Sequence, residues 1–369
     1  MNKLKIAFDA KGNENIGSYR IPFIGIRSII EKIDDVLVID NTDESIPDVV
    51  ICLGGQGRAK INKEQYPNSI VVLFKPHREN ILSLSFLTAP IVSVKNLISF
   101  FIIKFRKNYN LQDVKYSDLL IADSRRLSLF YRTQGKKVFY FRLMEKYNHF
   151  PEKPIELPNV GEELNVTFHG SATHYNESAK CIERLLCDLS CRFKVNFYCF
   201  IGLREKFYDI KHKNINVHYV AYDFDKLNDV LQKTHLGIVT NIIRHRSFFE
   251  GVLGSLFLFG RYQSSIDIIS QKFSSNSGRS YLFAHYGIPF VSHPISDSLI
   301  DYANIEGMEF PVSCDEMIYF SNDLLSDQDK YFNMSSDLLK FSNDNNLKDD
   351  TCAFVKELKN HVYDYKVGG

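Results

Sequence analysis

A basic side chain occupies an unusual place in the segment SGRSYLFAHYGIPFVSH (277–293). Ser277 is a residue type that caps helices, so the helix predicted after it has Gly278 and Arg279 in its first turn. The helix macrodipole disfavours a cation at that end, and a bound anion would remove the conflict. We therefore predict a phosphate site formed by Ser277, Gly278 and Arg279.

A histidine and a glycine follow the first strand-like run of the second half. The run in NVTFHGSATHYNES (165–178) ends at His169 and Gly170, and a helix is predicted to begin near Asn176 or Glu177. Amide N–H groups at a helix start can hold a phosphate, and a histidine can add a donor. A structural histidine is the alternative, so both interpretations of His169 stay open.

Asn241 and the basic trio 244–246 follow a later strand-like run, HLGIVT. Two arginines beyond a strand end would suit a diphosphate, because each guanidinium can donate two parallel hydrogen bonds to oxygens. Asn241 and Arg244 are therefore candidate donor-binding residues. A basic surface loop is the alternative interpretation of this stretch.

The end of the first strand-like run holds Asp9, and the small-residue loop after it leads to Gly17 and Arg20. Gly17 would permit close backbone approach before a helix start, where an anion can bind. The pattern predicts a ligand loop or a structural turn.

A third run ends in LGGQGRAK (53–60), whose three glycines predict a tight bend near a ligand or a plain surface turn.

The fourth strand-like run ends in VVLFKPHREN (71–80) and is followed by candidate general bases. His77 or Glu79 could take a proton from a hydroxyl group, and Asp9 at the first strand end could do the same. A solvated charged loop is the alternative for His77 and Glu79.

Strand-like runs and helix-like stretches must position these residues. Six short apolar, β-branched runs precede residue 148 and five follow residue 162, which is typical of parallel sheets buried on both faces. The segment 148–165 carries three prolines and no apolar period, so it predicts a linker. We expect an α/β protein with a first domain at 1–147, a linker at 148–162, a second domain at 163–345, and a C-terminal helix and tail at 346–369.

The composition argues against a nucleic-acid-binding protein and against a secreted one. Lys and Arg number 45 against 44 Asp and Glu, a balance that argues against a nucleic-acid-binding protein. Seven cysteines without a Cys-x-x-Cys pair indicate reduced thiols of a cytoplasmic protein, and the N-terminus does not resemble a signal peptide. In the apolar region 80–107, residues 97–107 predict an amphipathic helix that either packs on the core or lies on the inner face of an anionic membrane.

The chain resembles the GT-B glycosyltransferases along most of its length. NVTFHG and GRSYLFAHYGIPFVSH resemble the first strand and the donor-site helix of their nucleotide-sugar domain, and SDLLIADSRRLSLFYRTQGKKVFYF resembles the last unit of their acceptor domain. The resemblance implies two facing Rossmann-like domains, the first for the acceptor and the second for the donor. Arg279 matches a basic residue of the family, whereas Leu282 stands where many members carry a glutamate.

The resemblance implies transfer of a sugar from a nucleotide-sugar to a saccharide or lipid-linked saccharide, as in bacterial polysaccharide or lipopolysaccharide synthesis, without a metal or cofactor. Arg279, Arg244 and helix amides would stabilise the leaving diphosphate. Only an inverting enzyme would need a base. The alternatives are a sugar-nucleotide epimerase of the same architecture and a non-catalytic two-lobed binding protein.

Overall fold

The structure is a computed structural model that describes residues 3–12, 17–40, 45–76, 113–146, 151, 153–202, 206–239, 278–292 and 298–367. The chain divides into two units. Of the described residues, the first unit holds 3–146 and 346–367, and the second holds 151–239 and 278–345. Residues 346–367 therefore belong to the same unit as the N-terminal residues 3–146.

A parallel sheet of six strands forms the centre of the first unit. Its strands are β1 (Leu4–Asp9), β2 (Val36–Ile39), β3 (Val49–Leu53), β4 (Ile70–Phe74), β5 (Leu119–Ala122) and β6 (Val138–Tyr140), in the order β2-β1-β3-β4-β5-β6. Every residue of β4 is buried, which explains why its sequence, IVVLF, is continuously apolar. The chain leaves β1 toward β2 on one side and later adds β3 on the other, so the switch point lies between β1 and β3.

The helices of the first unit follow the strands. They are α1 (Gly17–Arg20), a π-helical stretch (Ile21–Ile26), α2 (Arg27–Ile30), α3 (Arg58–Gln65) and α4 (Arg125–Arg132). The helix predicted in the segment after Gly17 is therefore present, with a π-helical middle.

The second unit has a parallel sheet of five strands. These are β7 (Glu163–His169), β8 (Lys194–Ile201), β9 (Ile215–Ala221), β10 (Leu236–Ile238) and β11 (Phe290–Val291), in the order β11-β10-β7-β8-β9. Its helices are α5 (Ala172–Leu189), α6 (Phe224–Leu231), α7 (Gly278–His285), α8 (Ser298–Asp301), α9 (Cys314–Leu324) and α10 (Gln328–Asp344). The central strand is β7, and the switch point lies between β7 and β10.

The final helix, α11 (Leu347–Val367), packs on the first unit. The ring of its buried Phe354 lies 5.5 Å from that of Phe139 and 6.1 Å from that of Phe141, measured between centroids. Phe354 and Leu358 belong to the same apolar core as strands β1, β3 and β4. The predicted C-terminal helix is confirmed, and its apolar face completes the core of the first unit.

All eleven predicted strands are present, but α5 begins earlier than predicted. Its first residue is Ala172 rather than Asn176 or Glu177, because Ser171 caps it by accepting a hydrogen bond from the amide of His174 at 3.3 Å. The small polar residues after Gly170 are thus a cap and a first turn, not a loop.

A close approach of α7 to β10 shapes the second unit at its switch point. A Cβ atom on Gly237 would lie 2.6 Å from the ring of Phe283, so only glycine lets this ring rest on the strand. Tyr281, Leu282 and Phe283 are all buried there. The packing holds the first turn of α7 beside the carboxyl ends of β10 and β7.

Within the described part of the chain, no helix has the length and apolar character needed to cross a membrane. The predicted amphipathic helix at 97–107 lies outside the described residues.

Candidate functional site

The carboxyl ends of β7 and β10 form the expected ligand-binding edge of the second unit. Connections leave these neighbouring strands toward opposite sides of the sheet, which opens a crevice at their ends. His169 ends β7, Gly170 follows it, and α7 begins at Gly278 with Arg279 in its first turn, as predicted. The structure therefore brings together residues that are more than 100 positions apart in the chain.

The guanidinium of Arg279 is fixed at this edge by two contacts. Its Nη1 donates a hydrogen bond to the carbonyl oxygen of His169 at 3.3 Å, and its Cζ lies 5.6 Å from the centroid of the Phe168 ring. The side chain is half-buried, and burial lowers the pKa of Arg279 to about 10. Arg279 is still a cation at neutral pH, and a partly desolvated cation attracts an anion more strongly than an exposed one does.

Gly170 makes room for this guanidinium. Its φ of +148° suits glycine, and a Cβ atom there would lie 3.1 Å from Nη1 of Arg279. The amide of Gly170 donates to the carbonyl of Phe200 at 3.0 Å, which ties the turn to β8. The turn between β7 and α5 thus lies in close contact with the side chain of Arg279.

The N-terminus of α5 adds positive potential to the same edge. Ser171 caps this 18-residue helix, whose first turn contains no acidic residue. Because the amides of a first turn lack partners within the helix, their partial positive charge favours an anion. Arg279 and the start of α5 together suit a phosphate or diphosphate group.

His169 contributes its backbone rather than its ring to the contact with Arg279. The imidazole is only 5% exposed and packs edge-on against Phe283, with 5.3 Å between ring centroids. This geometry favours the structural interpretation of the histidine side chain. Leu282 is also buried, so the position where many GT-B enzymes carry a glutamate belongs to the core here.

Asp9 in the first unit is engaged in an ion pair that the sequence did not predict. Its two carboxylate oxygens accept from Nε and Nη2 of Arg58 at 2.7 and 2.8 Å, and Asn62 donates to the same carboxylate at 2.6 Å. The hydrogen bond to Asp9 raises the pKa of Arg58. The geometry makes Asp9 an anchor for Arg58, and a cation in the first position of a helix was the signal that could have found Arg58.

The glycine-rich loop after β3 is held by a carboxylate of the protein itself. Buried Asp113 accepts from the amides of Gly57 at 2.8 Å and Ala59 at 3.1 Å, so it occupies the N-terminus of α3. Burial raises the pKa of Asp113, although these amide hydrogen bonds act in the opposite direction. The loop 54–58 is therefore a tight internal bend, and its helix start is already capped.

Arg20, a predicted acceptor-binding residue, binds Glu145. Its Nη2 and Nε lie 2.5 and 3.1 Å from the two carboxylate oxygens, and both side chains are mostly buried. Gly17 begins α1, three residues before Arg20.

The other predicted site residues lie outside the described part of the chain: His77, Glu79, Asn241, Arg244 and Ser277.

No protein-family model matches the chain, and no curated protein matches it. Solved structures do match. TarM superposes on 84% of the chain with a TM-score of 0.53 at 11% identity, and OtsA in its apo form superposes on 97% with 0.57 at 9%. An E. coli trehalose-6-phosphate structure bound with UDP-2-fluoro glucose superposes on 96% with 0.54 at 10%. The chain has the GT-B fold.

The predicted fold class is thereby confirmed: an α/β protein with two Rossmann-like sheets and a long C-terminal helix. The chain covers 99% of OtsA but only 54% of TarM, so it spans about half the length of the latter. The superpositions demonstrate a shared GT-B fold, and at identities of this size the reaction has to be argued from the site.

Proposed function

We propose that the protein is a glycosyltransferase that moves a sugar from a nucleotide-sugar to a hydroxyl group of a saccharide or lipid-linked saccharide. The observation that carries this proposal is the position of Arg279, which is held against the end of β7 at the switch point of the second sheet. A GT-B fold with a cation at that crevice suits a nucleotide diphosphate. The UDP-sugar bound by the E. coli structure of the same fold supports this class of ligand.

Arg279 and the N-terminus of α5 would act on the leaving group. As the bond between sugar and diphosphate breaks, negative charge grows on the diphosphate, and donors already fixed in place stabilise it without reorganisation. Removing one such contact costs roughly 2–4 kcal/mol of transition-state stabilisation. Asn241, Arg244 and Ser277 would complete the donor site, and this arrangement needs no metal ion.

The first unit would bind the acceptor. An inverting reaction needs a base that reaches the acceptor hydroxyl. Because the carboxylate oxygens of Asp9 are bonded to Arg58 and Asn62, we favour His77 or Glu79 for that role over Asp9. We further propose synthesis of a bacterial polysaccharide or lipopolysaccharide in the cytoplasm, with residues 97–107 as a membrane contact.

A thermal-shift panel of the full chain against UDP, GDP, ADP, dTDP, CMP and their common sugars tests the proposal. A ligand that binds only the native state stabilises it by about 2.7 kcal/mol at a concentration 100 times its Kd. We expect one nucleotide class to raise the melting temperature selectively. The absence of any shift would reject the donor site.

Product analysis with the donor alone gives the second test. A transferase should leave the sugar configuration unchanged until an acceptor is added. Conversion of the donor sugar without an acceptor would show an epimerase instead.

A further inference from the structure

Basic side chains line the carboxyl edge of the first sheet. One follows the end of each of five strands, and all of them reach solvent: Lys11 after β1, Arg58 after β3, Lys75 after β4, Arg125 after β5 and Arg142 after β6. The acidic side chains described at the same edge are buried or ion-paired: Asp9, Asp113 and Asp123 are at most 5% exposed, Glu145 binds Arg20, and Asp350 lies 3.4 Å from Arg142. A ligand approaching this edge would therefore meet cations.

Two of these cations form ion pairs with buried carboxylates. Asp9 holds Arg58 through two hydrogen bonds, and Asp123 lies 3.3 Å from Nζ of Lys75. Oδ2 of Asp123 makes no hydrogen bond within the described residues, so the ammonium of Lys75 is its countercharge. The side chains of Arg58 and Lys75 are 31% and 34% exposed, so each is held by a buried carboxylate and is still in contact with solvent.

The backbone of Lys75 is strained. Its φ of 53° lies in the left-handed region, which costs a residue other than glycine about 1–2 kcal/mol. The surroundings enforce it, because the Lys75 amide donates to the carbonyl of Ile121 at 2.8 Å and its own carbonyl oxygen would lie 2.3 Å from a Cβ on Gly54. A glycine would relieve the strain, so the lysine at this strand end indicates a role for its ammonium group.

Arg58 and Arg125 also conflict with their helices. Each is the first residue of a helix, α3 or α4, whose first turn contains no acidic residue. In contrast, α6, α9, α10 and α11 carry acidic residues in their first turns, as the macrodipole favours. The guanidinium of Arg125 is exposed and lies 5.1 Å from the ring centroid of Tyr140. Asp113 and Asp9 already offset the position of Arg58, and a bound anion would further stabilise Arg125 at the start of α4.

We propose that this edge binds an acceptor saccharide that carries a phosphate, sulfate or carboxylate group, chiefly through Lys75 and Arg125. The strands that precede them, β4 and β5, are direct neighbours about 4.8 Å apart, so the two side chains start from adjacent positions of the same edge. Arg58 lies on the far side of β3, across the small residues Gly54 and Gly55, and can contact a second group. The identity of the ligand as an acceptor rests on the proposed transferase function.

Fluorescence anisotropy of the full chain with a labelled heparin hexasaccharide and a labelled, uncharged maltohexaose tests the proposal. We expect the heparin probe to bind at least about tenfold more tightly at 50 mM salt, and its affinity to fall at 200 mM as screening increases. The variants Arg125→Met and Lys75→Met with Asp123→Asn should each weaken it about tenfold. Asp123 is changed together with Lys75 because a lone buried carboxylate would destabilise the fold.

Lys32→Met is the matched control, since Lys32 is exposed and lies before β2, at the opposite edge of the sheet. Equal affinity for the two probes, or equal losses in Lys32→Met and the edge variants, would overturn the proposal. The nucleotide panel separates the two hypotheses. Edge variants should keep the wild-type nucleotide shift, whereas heparin binding without any nucleotide shift would reject the transferase function alone.

Discussion

Nη1 of Arg279 donates a hydrogen bond to the carbonyl oxygen of His169 at 3.3 Å, which joins the first turn of α7 to the end of β7. The two residues are 110 positions apart, so the contact exists only when the second sheet has formed. It turns an arginine that is unfavourable in its own helix into a fixed cation at the switch point.

The variant Arg279→Met should lose nucleotide affinity. A hydrogen-bonded contact to a charged group contributes about 2 kcal/mol, so we expect Kd to rise roughly thirtyfold. Isothermal titration with the nucleotide identified by the thermal-shift panel measures the change. Arg184→Met is the control, because Arg184 forms an exposed ion pair with Asp315 at 2.6 Å. Equal affinities of the two variants would contradict the placement of the donor site.

Gly170→Ala should disturb the same site, because the added methyl group would press against the guanidinium of Arg279. The new Cβ would lie 3.1 Å from the guanidinium of Arg279, in a backbone conformation with φ of +148°. We expect a loss of about 1–2 kcal/mol in the free energy of unfolding and a further loss of nucleotide affinity. Gly202 follows β8 at the same edge, and a Cβ there would lie within 4 Å of no atom of the described residues, so Gly202→Ala should keep both properties. Unchanged nucleotide binding in Gly170→Ala would separate Arg279 from the ligand.

Asp9→Asn should destabilise the first unit by about 2 kcal/mol, because it leaves the half-buried guanidinium of Arg58 without its countercharge. Adding Arg58→Met should recover most of the loss, since neither charge then remains. Urea unfolding measures both values. Glu64→Gln on α3, which breaks an exposed pair with Lys60 at 3.5 Å, should change little. Failure of the double variant to recover would show that Asp9 has a role beyond the pair.

His235 should make stability depend on pH. Burial lowers its pKa to about 4, and its Nδ1 accepts a hydrogen bond from the amide of Asn165 at 2.9 Å. Between pH 6.5 and 4 the unfolded chain binds the proton that the folded chain excludes, so stability falls as pH decreases through this window. From pH 7.5 to 5 we expect His235 to cost about 2 kcal/mol.

Urea unfolding at the two pH values measures this cost, and His235→Asn should remove it while keeping an acceptor for the Asn165 amide. Identical losses in the wild type and the variant would show that other groups cause the pH dependence.

The strands were predictable because each is a short run of β-branched residues with buried neighbours, and such a run has few other stable environments. The place of Arg279 in the first turn of α7 was predictable from the capping residue type before it, and the phosphate site inferred from its conflict with the helix polarity stays a prediction. The start of α5 was missed although Ser171 is a residue type that caps helices, because the small polar residues after Gly170 also suit a loop and only the hydrogen bond from the His174 amide distinguishes the two.

Contacts between residues far apart in the chain could not be predicted from the sequence. Asp9 resembled a free carboxylate at a strand end, yet Arg58, 49 positions later, binds both of its oxygens. Lys75 follows the fourth strand-like run in the sequence, but its left-handed backbone and its pairing with Asp123 arise from packing between neighbouring strands. Such contacts depend on which strands become neighbours, and local patterns do not encode that order.

The return of α11 to the first unit has a consequence for synthesis on the ribosome. Phe354 and Leu358 fill the core of a unit whose described strands all precede residue 147. The nascent first unit must therefore wait, with an apolar face uncovered, while the second unit is translated and folds. Completion of the first core therefore requires α11, which is translated after every described strand of the second sheet, so the folding of the two units is coupled through the order of synthesis.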